Sequence, residues 1–409
     1  MSGHDFEHRR SSCTLTLRRP DGSPLANQEF RARLVKHKFL FGFGAFDALD
    51  AASGLLDVQR QAFVEERLSR MMAIFNYATL PFYWGRFEKE EGKPQTEQLM
   101  AGARWLSQRG VTLKGHPLCW HTVCADWLMK YDNVEILSKQ LARITREVSD
   151  FSGMIDTWDV INEVVIMPVF DRYDNAVTRL ARELGRVGIV KKVFSQAREA
   201  NPGATLILND FDTSEDYGNL VEECLAADIP IDVIGIQSHQ HQGYWGRNKL
   251  EDVLGRFSRF GLPLHFTENS LISGELMPPH ITDLNDWVVP SWPSTVPGEE
   301  RQAREMEEMY TILFAHPLVE AITNWDAADG QWLHAPSGLL REDNSKKPAY
   351  EILSRLVNYE FSSDIKGYTD SEGRISLSGI RGKYELSCGG EQTFFELAKA
   401  SGESIAVTL

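Results

Sequence analysis

MIDTWDVINE (154–163) and LPLHFTEN (262–269) each carry a short apolar run that ends on or beside a glutamate next to an asparagine. Runs this continuous suit parallel strands that are buried on both faces. Six more surround them: FLFGFGAF (39–46), AIFNYATLPF (73–82), VTLKGHPLCW (111–120), TLILNDFD (205–212), IDVIGIQSH (231–239) and VEAITNWD (319–326). Helix-period stretches fill the gaps, among them VQRQAFVEERLSRMMAI, NAVTRLARELGRVGIVKKVFSQAREA and EERQAREMEEMYTILFA. Eight strands alternating with helices predict a closed (β/α)8 TIM barrel over residues 39–357. The competing arrangement, a doubly wound open sheet, usually carries GxGxxG after its first strand, and FGFGAFDA does not supply it.

The two ends read differently. Residues 13–38 alternate apolar and polar positions around a DG turn, which predicts a β-hairpin segment over 1–38. Residues 358–409 again give short alternating strands with turn signals. DGSPL and TDSEGRISLSGIRGKYEL resemble the two halves of a transthyretin-like β-sandwich. The expectation is one small accessory β-module built from both ends, with the barrel inserted between its strands. A hairpin that merely covers the barrel floor is the alternative.

A net charge of −15 argues against a nucleic-acid backbone or an anionic membrane as partner, since both require clustered Lys and Arg. No run of about 18 apolar residues offers a membrane span. The opening MSGHDFEHRR lacks a signal-peptide core, and five cysteines form no paired framework, so the expected compartment is cytoplasmic. Nothing in the sequence fixes an oligomeric state.

Working residues in such barrels come from the C-terminal strand ends. Glu163 ends the fourth run and Glu268 lies near the end of the seventh, 105 residues apart, or 35 for each β/α unit. A minimal barrel uses about 31 per unit, so both carboxylates reach one mouth. Retaining glycoside hydrolysis needs such a pair: one carboxylate attacks the anomeric carbon and the other exchanges a proton with the leaving oxygen and then with water. A lone glutamate is usually just an exposed side chain; two at matching strand ends are not easily incidental. Glu163 must stay protonated before the first step, and the neighbouring Glu268 is the expected cause of its raised pKa.

WDVINE resembles the acid/base motif of glycoside hydrolase family 10, the endo-β-1,4-xylanase family, and HFTEN resembles its nucleophile motif. GHPLCWH (115–121), LNDFD (208–212), GIQSH (235–239), NWD and QW around Trp325 and Trp332, and KKPAY (346–350) follow in the family's order. The resemblance covers roughly residues 39–357. It implies a barrel acting on oligo- or polysaccharide without a cofactor. It further implies that Asn162 bonds the sugar 2-hydroxyl, that His239 orients Glu268, and that Gln237 assists near the acid/base. His116 and Trp120 would line the glycone site, with Trp325 and Trp332 as aromatic walls. Asp210 is expected to be a structural carboxylate.

One motif departs. The family's TxENxxKW, whose Glu, Asn and Lys bond the glycone, is replaced by TLPFYWGRFE (79–88). Pro81, Phe82 and Tyr83 stand for the polar groups, and Trp84 matches the motif's Trp only if two residues are deleted. Either the segment is a structural plug or Tyr83 and Trp84 line a reshaped pocket that takes another β-glycan or an aryl glycoside. A non-catalytic carbohydrate-binding barrel is a further alternative. A metal-dependent hydrolase built on His239, His241, His116 and His121 is the remaining one.

Overall fold

The computed structural model describes residues 6–398 and 402–408. Strands β1 (Arg10–Arg18) and β2 (Glu29–His37) precede the barrel, whose first five staves are β3 (Leu40–Gly44), β4 (Tyr77–Pro81), β5 (Thr112–His116), β6 (Thr157–Asn162) and β7 (Thr205–Asp210). The sixth stave is β8 (Val233–Ile236), continued after a break by β9 (His239–Gln240); β10 (Leu264–Leu271) and β11 (Val319–Asn324) complete the circle. Parallel pairing runs β3-β4-β5-β6-β7-β8-β10-β11, and β11 returns to β3. The eight apolar runs are the eight staves. Their side chains are almost wholly buried, as in Ile161 and Val160 of β6 or Leu206 and Leu208 of β7, because helices cover one face and barrel packing the other.

Helices form where the sequence has helical period and caps. Asp57 accepts from the N–H groups of Gln59 and Arg60 ahead of Val58–Met72, and Asn175 accepts from Thr178 ahead of Ala176–Ala200. In the latter, Gly185 at φ +70° breaks the helical dihedrals. Among the described residues no helix is long and apolar enough to cross a membrane.

The ends of the chain meet. With β12 (Asp364–Tyr368), β13 (Arg374–Ile380), β14 (Gly382–Cys388), β15 (Glu391–Leu397) and β16 (Glu403–Thr408), they form two small sheets, ordered β13-β1-β16 and β12-β2-β14-β15. The expected hairpin between β1 and β2 does not occur. The two strands lie in different sheets, and the DG turn closes only a local bridge between Arg18 and Pro24, ahead of β2. The ten-residue connection 19–28 is too long for the two-residue turn that would pair them directly, and it carries the chain from one sheet to the other.

Both small sheets anchor at the barrel floor. Buried Arg9 donates to the carbonyls of Phe314, His316 and Val319 at 2.9, 2.6 and 2.6 Å, just before and at the start of β11. Lys36 Nζ reaches the Gly110 carbonyl at 2.6 Å and Thr112 Oγ1 at 3.1 Å, at the start of β5. The mouth, at the opposite strand ends, stays free for the loops.

Candidate active site

Glu163 follows the last residue of β6 in a left-handed conformation, φ +59°. That conformation costs a non-glycine residue about 1–3 kcal/mol, a strain that concentrates at working sites. Its backbone N–H is held by the Asn209 carbonyl at 2.9 Å. Trp120 Nε1 donates to Glu163 Oε2 at 2.8 Å; Gln237 Nε2 and Asn162 Nδ2 reach Oε1 at 3.2 and 3.3 Å.

Glu268 lies within β10 and is 4% exposed. Asn209 Nδ2 donates to its Oε1 at 2.7 Å and to Asn162 Oδ1 at 2.8 Å, so one amide ties the Glu268 carboxylate to the residue beside Glu163. Thr267 Oγ1 donates to Asn209 Oδ1 at 2.7 Å, which fixes the amide's orientation. Gly235 on β8 makes room: a Cβ there would stand 2.4 Å from Asn209 Oδ1. His239 Nε2 lies 3.3 Å from Glu268 Oε2, and its Nδ1 lies 2.9 Å from Ser270 Oγ.

A buried ionic column stands beneath Glu268. Lys114 Nζ donates to Asp159 Oδ2 at 2.6 Å, His116 Nδ1 lies 2.7 Å from the same oxygen, and that nitrogen is 3.9 Å from Glu268 Oε1. His116, Asp159 and Glu268 each present one ligand atom within 4.8 Å of the others, enough to hold a metal ion. The Lys114 ammonium already supplies the positive charge such an ion would bring to Asp159. His241, the partner of His239 in the HxH pair, packs its ring on Trp292 and Trp332 at 5.7 and 5.2 Å.

The two glutamates ionise differently. Burial pushes Glu163 up to about 8, and the Asp210 and Glu268 carboxylates add to the rise against the hydrogen bonds from Trp120 and Gln237. The sequence expectation named Glu268 as the cause; burial among the site's side chains outweighs it. For Glu268 burial also acts upward, but His116, His239 and Lys114 together outweigh it and hold the carboxyl below its ordinary range. Asp210, raised to about 7 by burial, accepts from the N–H of Val165 at 3.0 Å and of Asp212 at 3.0 Å, tying down the loops after β6 and β7.

Aromatic rings wall the site. Trp325 meets His116 and His239 edge-on, at 5.3 and 5.9 Å between ring centres, and Trp332 lies over His239 at 4.3 Å. Tyr83 packs on His116 and Trp120 at 5.6 and 5.7 Å. Trp84 does not join them. It is buried, donates from Nε1 to Glu88 Oε2 at 3.1 Å and meets Trp127 edge-on. The altered segment thus divides: Tyr83 faces the site's aromatics, while Phe82 and Trp84 fill the core. The short turn Trp84–Phe87 directs successive side chains to different sides, which a motif alignment by residue type does not anticipate.

Sequence reasoning passed over Asn209, Asp159, Lys114 and Phe46, whose ring meets Trp325 at 5.2 Å. For Lys114 and Asp159 a signal existed: a charged residue inside an otherwise apolar barrel run needs a buried partner.

A closed parallel barrel that presents two linked carboxyl groups at its fourth and seventh staves, ringed by tryptophans, has the architecture of a glycoside hydrolase. Residues 60–355 match the profile of Glycosyl hydrolase family 10, and the chain belongs to that family. It is 28% identical over 319 residues to an endo-1,4-beta-xylanase/feruloyl esterase of Xylanibacter ruminicola, covering 71% of this chain and 43% of that protein. It is 28% identical over 266 residues to a beta-1,4-xylanase of Dictyoglomus thermophilum, covering 60% of this chain and 71% of that one. The anti-sigma-I factor RsgI6 of Acetivibrio thermocellus is 22% identical over 397 residues, covering 93% of this chain. The chain spans less than half the length of the Xylanibacter and Acetivibrio proteins. Xylanase 10B of Thermotoga petrophila, solved with xylobiose, shares the fold at a TM-score of 0.63 and 22% identity, over 79% of this chain and 95% of that one.

Proposed function

We propose that the chain hydrolyses β-1,4-linked xylan-type glycans or xylo-oligosaccharides by double displacement, with Glu163 as general acid/base and Glu268 as nucleophile. The observation that carries this reading is the opposite ionisation of two carboxyls joined through Asn209 and Asn162. Ionised Glu268 attacks the anomeric carbon as protonated Glu163 gives its proton to the departing oxygen. The bond to the leaving group breaks and a glycosyl ester forms. Esterification removes one negative charge, which favours ionised Glu163; that carboxylate then takes a proton from water as the water oxygen attacks the same carbon. In this reading Asn162 bonds the sugar 2-hydroxyl beside the reacting centre, and Trp325 and Trp332 bury its apolar face.

A fluorinated xyloside with a good leaving group, 2,4-dinitrophenyl 2-deoxy-2-fluoro-β-xylobioside, tests the assignment. Mass spectrometry should find the trapped sugar on the peptide carrying Glu268; label on another residue would displace it from the nucleophile's role. Tyr83, which packs on His116 and Trp120 at the site, favours one second reading, a sugar-binding barrel without turnover. Xylohexaose bound in calorimetry and recovered intact would select it.

A further inference from the structure

Two loops at the mouth are bonded to each other, and the chemistry above does not use the bond. One follows β6 (163–175) and the other follows β10 (272–295). Arg172, in the first, pairs through Nη1 with Asp283 and through Nη2 with Asp286 of the second. Around the barrel, β6 and β10 are separated by β7 and β8 on one side and by β11, β3, β4 and β5 on the other. A bond between these loops therefore spans the sector over β7 and β8, joining the same two staves that carry Glu163 and Glu268. It lies toward the β7–β8 side: Gln242, in the loop after β9, donates to the carbonyls of Pro278 at 3.0 Å and Ile281 at 2.6 Å, holding the arm that leads to Asp283 over that sector.

Both arms are braced where they leave the barrel. Arg182 donates to the carbonyls of Pro168 at 3.0 Å and Phe170 at 2.7 Å, and Phe170 packs on His121 at 4.5 Å. On the other side Trp292 Nε1 donates to the Glu275 carbonyl at 2.7 Å, and Arg301 to those of Ile272 and Gly274, both at 2.8 Å. The meeting point is ionic and partly exposed, with side chains of Arg172, Asp283 and Asp286 at 41, 35 and 51% exposure. Such a pair is weak and salt-sensitive.

We propose that this strap ends the saccharide cleft over the β7–β8 sector, making Arg172, Asp283 and Asp286 specificity determinants that favour short oligosaccharides or chain ends over the interior of a long chain. The proposal rests on the hydrolase reading above. A glycan threading the mouth in that direction meets a bonded arch with rigid feet, whereas a short one need not pass it.

The test compares kcat/KM of the full chain on 4-nitrophenyl β-xylobioside and on soluble β-1,4-xylan. Arg172→Ala is expected to raise the polymer-to-aryl ratio by about tenfold, the order of selectivity set by one steric contact, with the aryl value unchanged. Arg172→Lys should keep most of the wild-type ratio. Roughly 1 M sodium chloride, where the screening length is about 3 Å, should move the wild type toward the alanine variant and leave that variant where it is. If Arg172→Ala does not fold, Asp286→Asn carries the same expectation. Wild-type protein inert on both substrates would overturn the hydrolase reading. Active protein whose ratio moves neither with Arg172→Ala or Asp286→Asn nor with salt would overturn the strap alone.

Discussion

The floor of the site and its β4 rim solve opposite problems with side chains of similar burial. On the floor, from β5 round to β10, polar groups are buried and paired: Asn209 donates both of its amide protons within the pair's network, and Lys114, Asp159 and His116 stack beneath Glu268. At the rim, Phe82 is fully buried and packs on Phe87, Phe151 and Trp158 at 5.7, 5.0 and 4.9 Å. Arg143 braces this rim from behind, donating to the carbonyls of Phe82 and Leu118. The floor is a buried polar network, while at the rim Phe82 belongs to the core. A site of this kind can keep its reaction and change what it accepts, because bond-breaking depends on the floor and selectivity on the walls.

The largest expected effect lies on the floor. Glu268→Ala should lower kcat on an aryl xyloside by roughly 10⁴ to 10⁶-fold, the range seen when one member of a catalytic unit is removed. Retained turnover would break the comparison at its stronger half. At the rim, Phe82→Ala should destabilise the fold by about 3–5 kcal/mol in urea titration, because the ring touches three other buried aromatics. A loss below about 1 kcal/mol would mean that the rim is a binding surface after all.

Asn209→Ala sharpens the comparison by cutting the tie between the two carboxyls. We expect a fall in kcat of about 10² to 10³-fold, larger than any change in KM, and a displaced alkaline limb of the pH profile. The smallest effect is electrostatic. Folded Glu163 holds its proton up to about 8 against an ordinary 4.5. The stability that this proton confers is therefore complete below about 4.5 and is lost as pH rises through about 8. Glu163→Gln, which mimics the protonated form, should match the wild type in thermal midpoint near pH 4.5 and exceed it increasingly toward pH 9. A difference independent of pH would deny the raised value.

The barrel was legible because each stave is apolar along its whole length and the helices between carry their own period and caps. The positions of Glu163 and Glu268 followed from that register. Three things were not legible. Trp84 turns into the core because a short helical turn, Trp84–Phe87, reorients consecutive side chains. β1 and β2 separate into different sheets because their true partners, β13 and β14, lie more than 300 residues away, beyond any local turn signal. The raised pKa of Glu163 comes chiefly from burial, which depends on the assembled loops and not on the spacing of two acidic residues.

The central claim is that Glu163 and Glu268 face one sugar across a gap short enough for covalent displacement, about 5–5.5 Å. Proton NMR of the first product formed from 4-nitrophenyl β-xylobioside, read before mutarotation, tests it most directly. The account predicts that the β-anomer appears first and the α-anomer only later; an initial α-anomer would show single displacement by water and contradict it.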